Sequence, residues 1–237
     1  MQVQAVLFDL FETLVTEFED GRRKVDRAKR DYEPLIGIPN EVFGRAWSAR
    51  RDRRMTGAFR HFKEVVEDIL AEHRMESGSR ATSIEALYQD RIGEKRVPFE
   101  SVDPSILLML ERLQGAGAKL ALISNCTEEE VQGWHDSPLA AYFDIVVFSY
   151  QMGLAKPDPR IYELTLSRLG VSAGQAAFVG DGGFQELEGA AASGIRNVYQ
   201  CGWFVPELYR KGPGEATVVE STGQLLERLG IGSRREE

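Results

Sequence analysis

The chain has 237 residues, 43% of them hydrophobic and 28% charged, with a formal net charge of −8. That balance belongs to an ordinary folded protein rather than a disordered one, and its negative sign argues against general affinity for nucleic acid. No apolar run approaches the roughly 18 residues a bilayer-spanning helix needs, and Asp9 interrupts the one N-terminal stretch that resembles a signal peptide, so the expected location is cytoplasmic with no membrane partner. The two cysteines, Cys126 and Cys201, make neither a disulfide framework nor a metal-ligand spacing and read as reduced thiols.

Residues 3–14 organise the rest. Ala5-Val6-Leu7-Phe8 is an unbroken run of strand formers, as in a central parallel strand covered on both faces. Asp9 follows it, and open α/β sheets bind ligands beyond the carboxyl ends of their strands. From about residue 17 to residue 96 the period becomes helical, with no strand-like runs. Breaks at Pro39-Asn40, Ser77-Gly78-Ser79 and Gly93 divide this segment into about four helices. After Val97-Pro98 the pattern alternates. Helices are expected at 104–113, from 128, at 160–169 and at 184–193, and strands at 119–124, 144–149, 176–180 and 196–199. Such alternation predicts an α/β fold with a parallel sheet and right-handed crossovers. The expected division is a core of residues 1–16 and 98–237 and a helical insert of 17–97 placed to cover the crevice; residues 233–237 are expected to fray. Trp203-Phe204 reads either as a buried loop anchor or as part of a dimer interface, and the oligomeric state stays open.

Three further stretches close strands or fill the loops after them. Ser124 and Asn125 can donate hydrogen bonds to an anion or can cap a helix. Lys156, in Gly-Leu-Ala-Lys-Pro-Asp-Pro, is a site cation in a proline-stiffened loop or a surface charge. Asp181 in Val-Gly-Asp-Gly-Gly is a strand-end ligand with glycines that admit close approach, or a turn former. Glu186 is part of the same acid group, or a first-turn residue favoured by the helix dipole.

Taken in order, with a helical insert after the first, these elements resemble the four motifs of the haloacid dehalogenase superfamily, and the resemblance covers nearly the whole chain. It implies a Rossmann-like core, a three-layer α/β/α sandwich, with a helical cap inserted after strand one. It also implies catalytic roles for Asp9 as nucleophile, Ser124 and Asn125 as the anion-holding pair, and Lys156 as the cation steadying nucleophile and substrate. Glu12 and Thr13 join Ser124 and Asn125 as the substrate-binding set. A magnesium ion, Mg2+, is implied on Asp9, the Phe11 carbonyl and Asp181, with Glu186 holding its waters. The charge logic agrees, since carboxylates converging on a small anionic substrate need a divalent cation and a lysine to offset them.

One position departs from the phosphatases of that superfamily. They carry a second aspartate two residues after the nucleophile as general acid and base; here Phe11 stands there. Glu12, where glycine is usual, is the one nearby acid. Dehalogenases have an aromatic residue at the Phe11 position and agree with Tyr162, but they lack an acid at Asp181 and carry asparagine where this chain has Gly183. The expectation is a magnesium-dependent hydrolase acting through an aspartyl ester, a phosphatase of aryl or acyl phosphates ahead of a 2-haloacid dehalogenase. A weakly catalytic binding module is the third reading. Residues 21–60 hold 12 Lys and Arg against 5 Asp and Glu, a basic segment in an acidic chain. Arg45, Arg50, Arg51, Arg53, Arg54 and Arg60 could draw an anionic substrate under the insert, but most of them are expected on a solvated face paired with core acids, because six cannot all point inwards. His61, His73 and His135 default to structural or surface roles.

Overall fold

The four-residue run Ala5-Val6-Leu7-Phe8 forms strand β1 (Ala5–Phe8), with every side chain buried. Alternate residues serve two different cores. Val6 and Phe8 pack into one cluster with Met109, Leu110 and Leu122, while Ala5 and Leu7 pack into another with Ile161, Tyr162 and Phe178. A strand dressed on both sides in this way belongs to a sheet covered on both faces, and its pairing with a strand on either side places it inside that sheet. The computed structural model describes residues 3–26, 30–205, 212 and 214–231. The expected fraying of 233–237 lies outside the described residues. Among them, no helix is long and apolar enough to cross a membrane.

After β1 come a two-strand hairpin, β2 (Phe18–Glu19) and β3 (Arg22–Arg23), and helices α1 (Glu33–Ile36), α2 (Asn40–Ala49), α3 (Arg51–Met55), α4 (Phe62–Glu72) and α5 (Ala81–Glu100). The alternating part follows as α6 (Pro104–Gly115), β4 (Lys119–Ser124), β5 (Ile145–Phe148), α7 (Ser149–Met152), α8 (Pro159–Leu169) and β6 (Ala176–Gly180). It closes with α9 (Glu186–Ala192), β7 (Asn197–Cys201), β8 (Thr217–Val219) and α10 (Thr222–Arg228). The sheet order is β5-β4-β1-β6-β7-β8, and every pairing in it is parallel. This is the strand order of a Rossmann-like fold, with its topological switch between β1 and β6. Asp9 lies directly after β1 and Asp181 directly after β6, so the two acids flank the crevice that the switch creates.

Several expectations are corrected. The segment after residue 17 does contain strands, because Asp20 (φ 48°) and Gly21 (φ 73°) are both left-handed. That is the conformation of a type I′ hairpin turn. Helix α5 does not stop at residue 96. Pro98 sits inside its last turn, where a missing N–H costs one hydrogen bond, and burial of Pro98 and Phe99 holds the turn closed. The stretch from residue 128 is a single 3₁₀ turn, Glu128–Glu130. The helix expected from residue 184 starts at Glu186, because Phe184 and Gln185 adopt left-handed φ of 54° and 56°. Strand β8 and helix α10 have no counterpart in the sequence reading.

Helices α1, α2, α4 and α5 share an apolar cluster built on Ile36, Phe43, Phe62, Val66, Ile69 and Leu87. Three of the six arginines between residues 45 and 60 are spent within this helical block. Arg50 bonds Asp68 and Glu72 at 2.7 and 2.6 Å, Arg45 pairs with Glu41 and Arg53 with Asp68, so their partners are local acids rather than the core acids expected. The block meets the sheet layer along α5. Arg91 bonds Glu129 and Glu130, each at 2.7 Å, and Lys95 pairs with Glu130 at 3.3 Å. Gly57, at φ +71°, lies so close to Tyr150 that a Cβ there would sit 2.0 Å from its carbonyl oxygen. Only glycine admits this approach.

Candidate active site

The backbone N–H of Asp9 donates to Val179 O at 2.9 Å, which continues the β1–β6 pairing one residue past the strand and fixes where the carboxylate emerges. The side chain belongs to a residue only 8% exposed. One oxygen, Oδ1, is ion-paired with Lys156 Nζ; the other accepts from Thr13 Oγ1 at 3.2 Å. A carboxylate oxygen offers two lone pairs, so both retain acceptor capacity. Thr13 is fully buried beneath Asp9, and its carbonyl accepts from Trp203 Nε1 at 2.8 Å, which makes Trp203 a loop anchor. Thr13 therefore orients Asp9 and has no open face for a substrate.

Lys156 is 3% exposed and bridges Asp9 and Glu186, pairing with both. Burial alone would disfavour its ammonium, but the carboxylates of Asp9 and Glu186 outweigh that and hold its pKa well above lysine's usual range. The loop is gripped by Asn125, whose amide accepts from Lys156 N and donates to Lys156 O, each at 2.8 Å. The Asn125 side chain thus positions the lysine as well as bordering the cleft. Ser124 Oγ, at the end of β4, is buried without a hydrogen-bond partner among the described residues.

Asp181 Oδ1 accepts from Gly183 N at 2.9 Å, and Gln200 Nε2 on β7 steadies its loop by donating to Asp181 O at 3.0 Å. Gln200 is a positioning residue that sequence reasoning missed, having no motif to mark it. Glu186 is 1% exposed; its Oε2 faces Lys156 and its Oε1 accepts from Gly182 N at 3.1 Å. Gly180 cannot carry a side chain there, because a Cβ would lie 2.1 Å from Glu186 Oε1. Burial, reinforced by Asp9 and Asp181, pushes the Glu186 pKa well above the carboxylate range, and burial likewise raises that of Asp9.

Oxygens of Asp9, Asp181 and Glu186 lie within 4.8 Å of one another. Three carboxylates against one ammonium leave an excess of negative charge that a hard divalent cation would offset. The donor set fits such an ion. Glu186 is committed on both oxygens and suits the outer shell, while Asp181 Oδ2 and the Phe11 carbonyl accept no hydrogen bond among the described residues.

Glu12 does not turn its carboxylate toward Asp9. Its Oε2 accepts from Thr16 Oγ1 at 2.6 Å and its Oε1 from Glu17 N at 2.9 Å, so both oxygens clamp the turn that leads into the β2–β3 hairpin. Its φ of 60° is left-handed. That conformation costs a non-glycine residue about 1–2 kcal/mol, which accounts for glycine being usual at this place. Burial raises the Glu12 pKa, opposed by the hydrogen bonds from Thr16 and Glu17. Tyr162 is fully buried and donates to the main-chain oxygen of Glu186 at 2.7 Å, a role in holding the acid loop.

The space above Asp9 is a cleft of about 280 Å³ that the helical block helps to wall, lined among others by Phe11, Glu17, Met55, Lys95 and Asp181. Met55, Asn125 and Phe184 also border a neighbouring cavity, or line the same wall of it, with a volume of about 660 Å³, where Arg51 lies over the Phe184 ring at 5.5 Å. Within residues 45–60, Arg51 and Arg54 are the arginines turned toward the core. Arg54 is 5% exposed, stacks on Trp47 at 4.1 Å and has no carboxylate partner among the described residues. Burial and the nearby Arg91 and Arg51 push its pKa down to about 10, against the pull of Glu130 and Glu129.

Comparison with known proteins agrees with this geometry. The model of the haloacid dehalogenase-like hydrolases matches residues 3–194. The chain is 32% identical over 150 residues to the phosphoserine phosphatase of Thermus thermophilus, covering 60% of this chain and 55% of that protein. It is 33% identical over 207 residues to (S)-2-haloacid dehalogenase 4A of Burkholderia cepacia, covering 83% and 82%. Among solved structures, a HAD phosphatase from Thermococcus onnurineus has the same fold, with a TM-score of 0.63 at 23% identity over 98% of this chain and 100% of that one. The chain belongs to the haloacid dehalogenase-like hydrolases, a family of enzymes whose members include both phosphatases and dehalogenases.

Proposed function

We propose that the protein is a magnesium-dependent phosphohydrolase in which Asp9 attacks phosphorus and residues 17–97 act as a cap over the cleft. The observation that carries this reading is the placing of Asp181 and Glu186 beside Asp9 with Lys156 between. Carbon–halogen cleavage at Asp9 has no use for two further acids beside it, one buried and one half-buried, whereas a phosphate ester brings its own negative charge and needs a cation-binding set.

Asp9 is held for attack by Thr13 on one oxygen and Lys156 on the other. The β1–β6 register fixes its direction. Lys156 opposes the burial that raises the Asp9 pKa and offers positive charge to the incoming phosphoryl oxygens. Ser124 and Asn125 close the opposite side of the anion pocket. Asp9, Asp181 and the Phe11 carbonyl would hold the magnesium, with Glu186 and Gln200 fixing the loop that presents Asp181. Bound there, magnesium supplies charge neutralisation between carboxylates and phosphoryl group. The released substrate oxygen receives no proton from Phe11, and Glu12 is turned away. Leaving groups that depart as stable anions are therefore favoured.

The test is a turnover panel of aryl, acyl and alkyl phosphates and short 2-haloacids, each with magnesium and with excess chelator. Acyl and aryl phosphates should exceed alkyl phosphates by a factor approaching the ~10² to 10⁴ normally credited to a general acid, and chelation should stop all of them. Undiminished haloacid cleavage in chelator, with every phosphate ignored, would make this chain a dehalogenase.

A further inference from the structure

Phosphoryl transfer proceeds with attacking and leaving oxygens roughly in line. With Asp9 lining the cleft, the leaving oxygen departs on the side of phosphorus away from it, into the cleft that Phe11 also lines. The same lining holds a cation. Lys95 of α5 lines the cleft, is 8% exposed, and has its Nζ 4.9 Å from the centroid of the Phe11 ring. Nζ pairs with Glu17 Oε1 at 2.6 Å and with Glu130 Oε1 at 3.3 Å. An ammonium has three donors, so these two partners leave one. Each acid also has a cation of its own, Arg23 at 2.6 Å from Glu17 and Arg91 at 2.7 Å from Glu130. Arg54, without a carboxylate partner among the described residues, adds positive charge to the same side.

We infer that Lys95 receives the leaving group, a catalytic role that no motif of the sequence assigns. This rests on the phosphohydrolase reading and deepens it: the substrates are phosphates whose leaving group departs as an oxyanion, a carboxylate or a phenolate. Asp9 bonds to phosphorus as the bond to the leaving oxygen breaks, and that bond's electron pair stays on the oxygen. The resulting anion pairs with the Lys95 ammonium, which keeps its proton throughout. Water then attacks the phosphorus of the aspartyl phosphate, the bond to Asp9 breaks with its electron pair left on the carboxylate, and both protons of the water leave on the released phosphate. The arrangement accounts for the loss of an acid at Phe11, since a fixed positive charge beside the departing oxygen replaces proton donation for leaving groups that are stable anions. It gives little help to an alkoxide, which needs the proton itself.

The experiment compares wild type, Lys95→Met, Lys95→Arg and Arg96→Met on a series of substituted phenyl phosphates with magnesium present. Arg96→Met cuts a different ion pair of α5, the one to Asp136, and neither residue lines the cleft. Lys95→Met should lose about 10² to 10³ in kcat for the poorest phenolate, as for removal of one oxyanion donor, and much less for p-nitrophenolate, so that rate falls more steeply with leaving-group pKa. Lys95→Arg should restore most of the original slope. Arg96→Met should lower all rates evenly or not at all. If Lys95→Met lowers every substrate by the same factor, or lowers none, Lys95 is only an interface ion pair and the inference is overturned. Wild-type enzyme inert toward every phenyl phosphate is a different result, which removes the phosphohydrolase reading and this inference with it.

Discussion

Asp9→Asn is expected to abolish turnover while the protein folds as before. The amide has nearly the same shape, can turn its oxygen to Lys156 and its NH2 to the Thr13 hydroxyl, which then accepts, and leaves Lys156 paired with Glu186. What it lacks is nucleophilicity. Loss of a residue that forms the covalent intermediate should cost at least about 10⁴ in kcat, measured on the best aryl phosphate, with the thermal midpoint little changed. Activity within tenfold of wild type would remove Asp9 from the chemistry.

Lys156→Met should damage both stability and rate. It strips the shared cation from two buried carboxylates, and removing one partner of a buried ion pair typically costs about 3–5 kcal/mol. The pH dependence follows from the direction of the shifts. Asp9 and Glu186 already have raised folded-state pKa values, and without Lys156 both rise further. A carboxyl with a raised folded pKa binds more protons folded than unfolded. Its penalty is therefore absent below the unfolded pKa of about 4 and grows as pH rises above it. The stability deficit of Lys156→Met against wild type should be large at pH 7 and should shrink as pH is lowered toward about 4. Denaturant titrations of both proteins across that range measure it. A deficit that does not change with pH would mean the two acids are not coupled through Lys156.

The parts of this molecule that could be read from sequence are those where local composition and topology decide the outcome. The unbroken apolar run Ala5–Phe8 reads as a strand covered on both faces, and both of its faces are buried in core clusters. Acids placed directly after β1 and β6 are delivered to one crevice by the parallel strand order, however far apart they lie in the chain. The Asp20-Gly21 turn was equally legible, as a dipeptide that favours left-handed φ, but the surrounding helical period masked it. What the sequence did not disclose depends on contacts across long separations. Lys95 meets Glu17 from 78 positions away, and neither residue lies in a motif. The direction of the Glu12 carboxylate follows from one left-handed φ, which turns it into Thr16 and Glu17. The grip of Asn125 on the Lys156 main chain is likewise a matter of tertiary geometry, and either residue alone is consistent with a cap or a surface charge.

The central claim is that Asp9 bonds to phosphorus, and the most direct measurement is a rapid acid quench of enzyme, magnesium and an aryl phosphate, followed by peptide mass spectrometry in ¹⁸O-labelled water. The prediction is one phosphoryl group on the peptide carrying Asp9 at early times, absent in Asp9→Asn, with the heavy oxygen appearing in released phosphate. No phosphorylated peptide, together with heavy oxygen accumulating in the Asp9 carboxylate during turnover of a 2-haloacid, would contradict it, because an ester to carbon is hydrolysed at the aspartyl carbonyl.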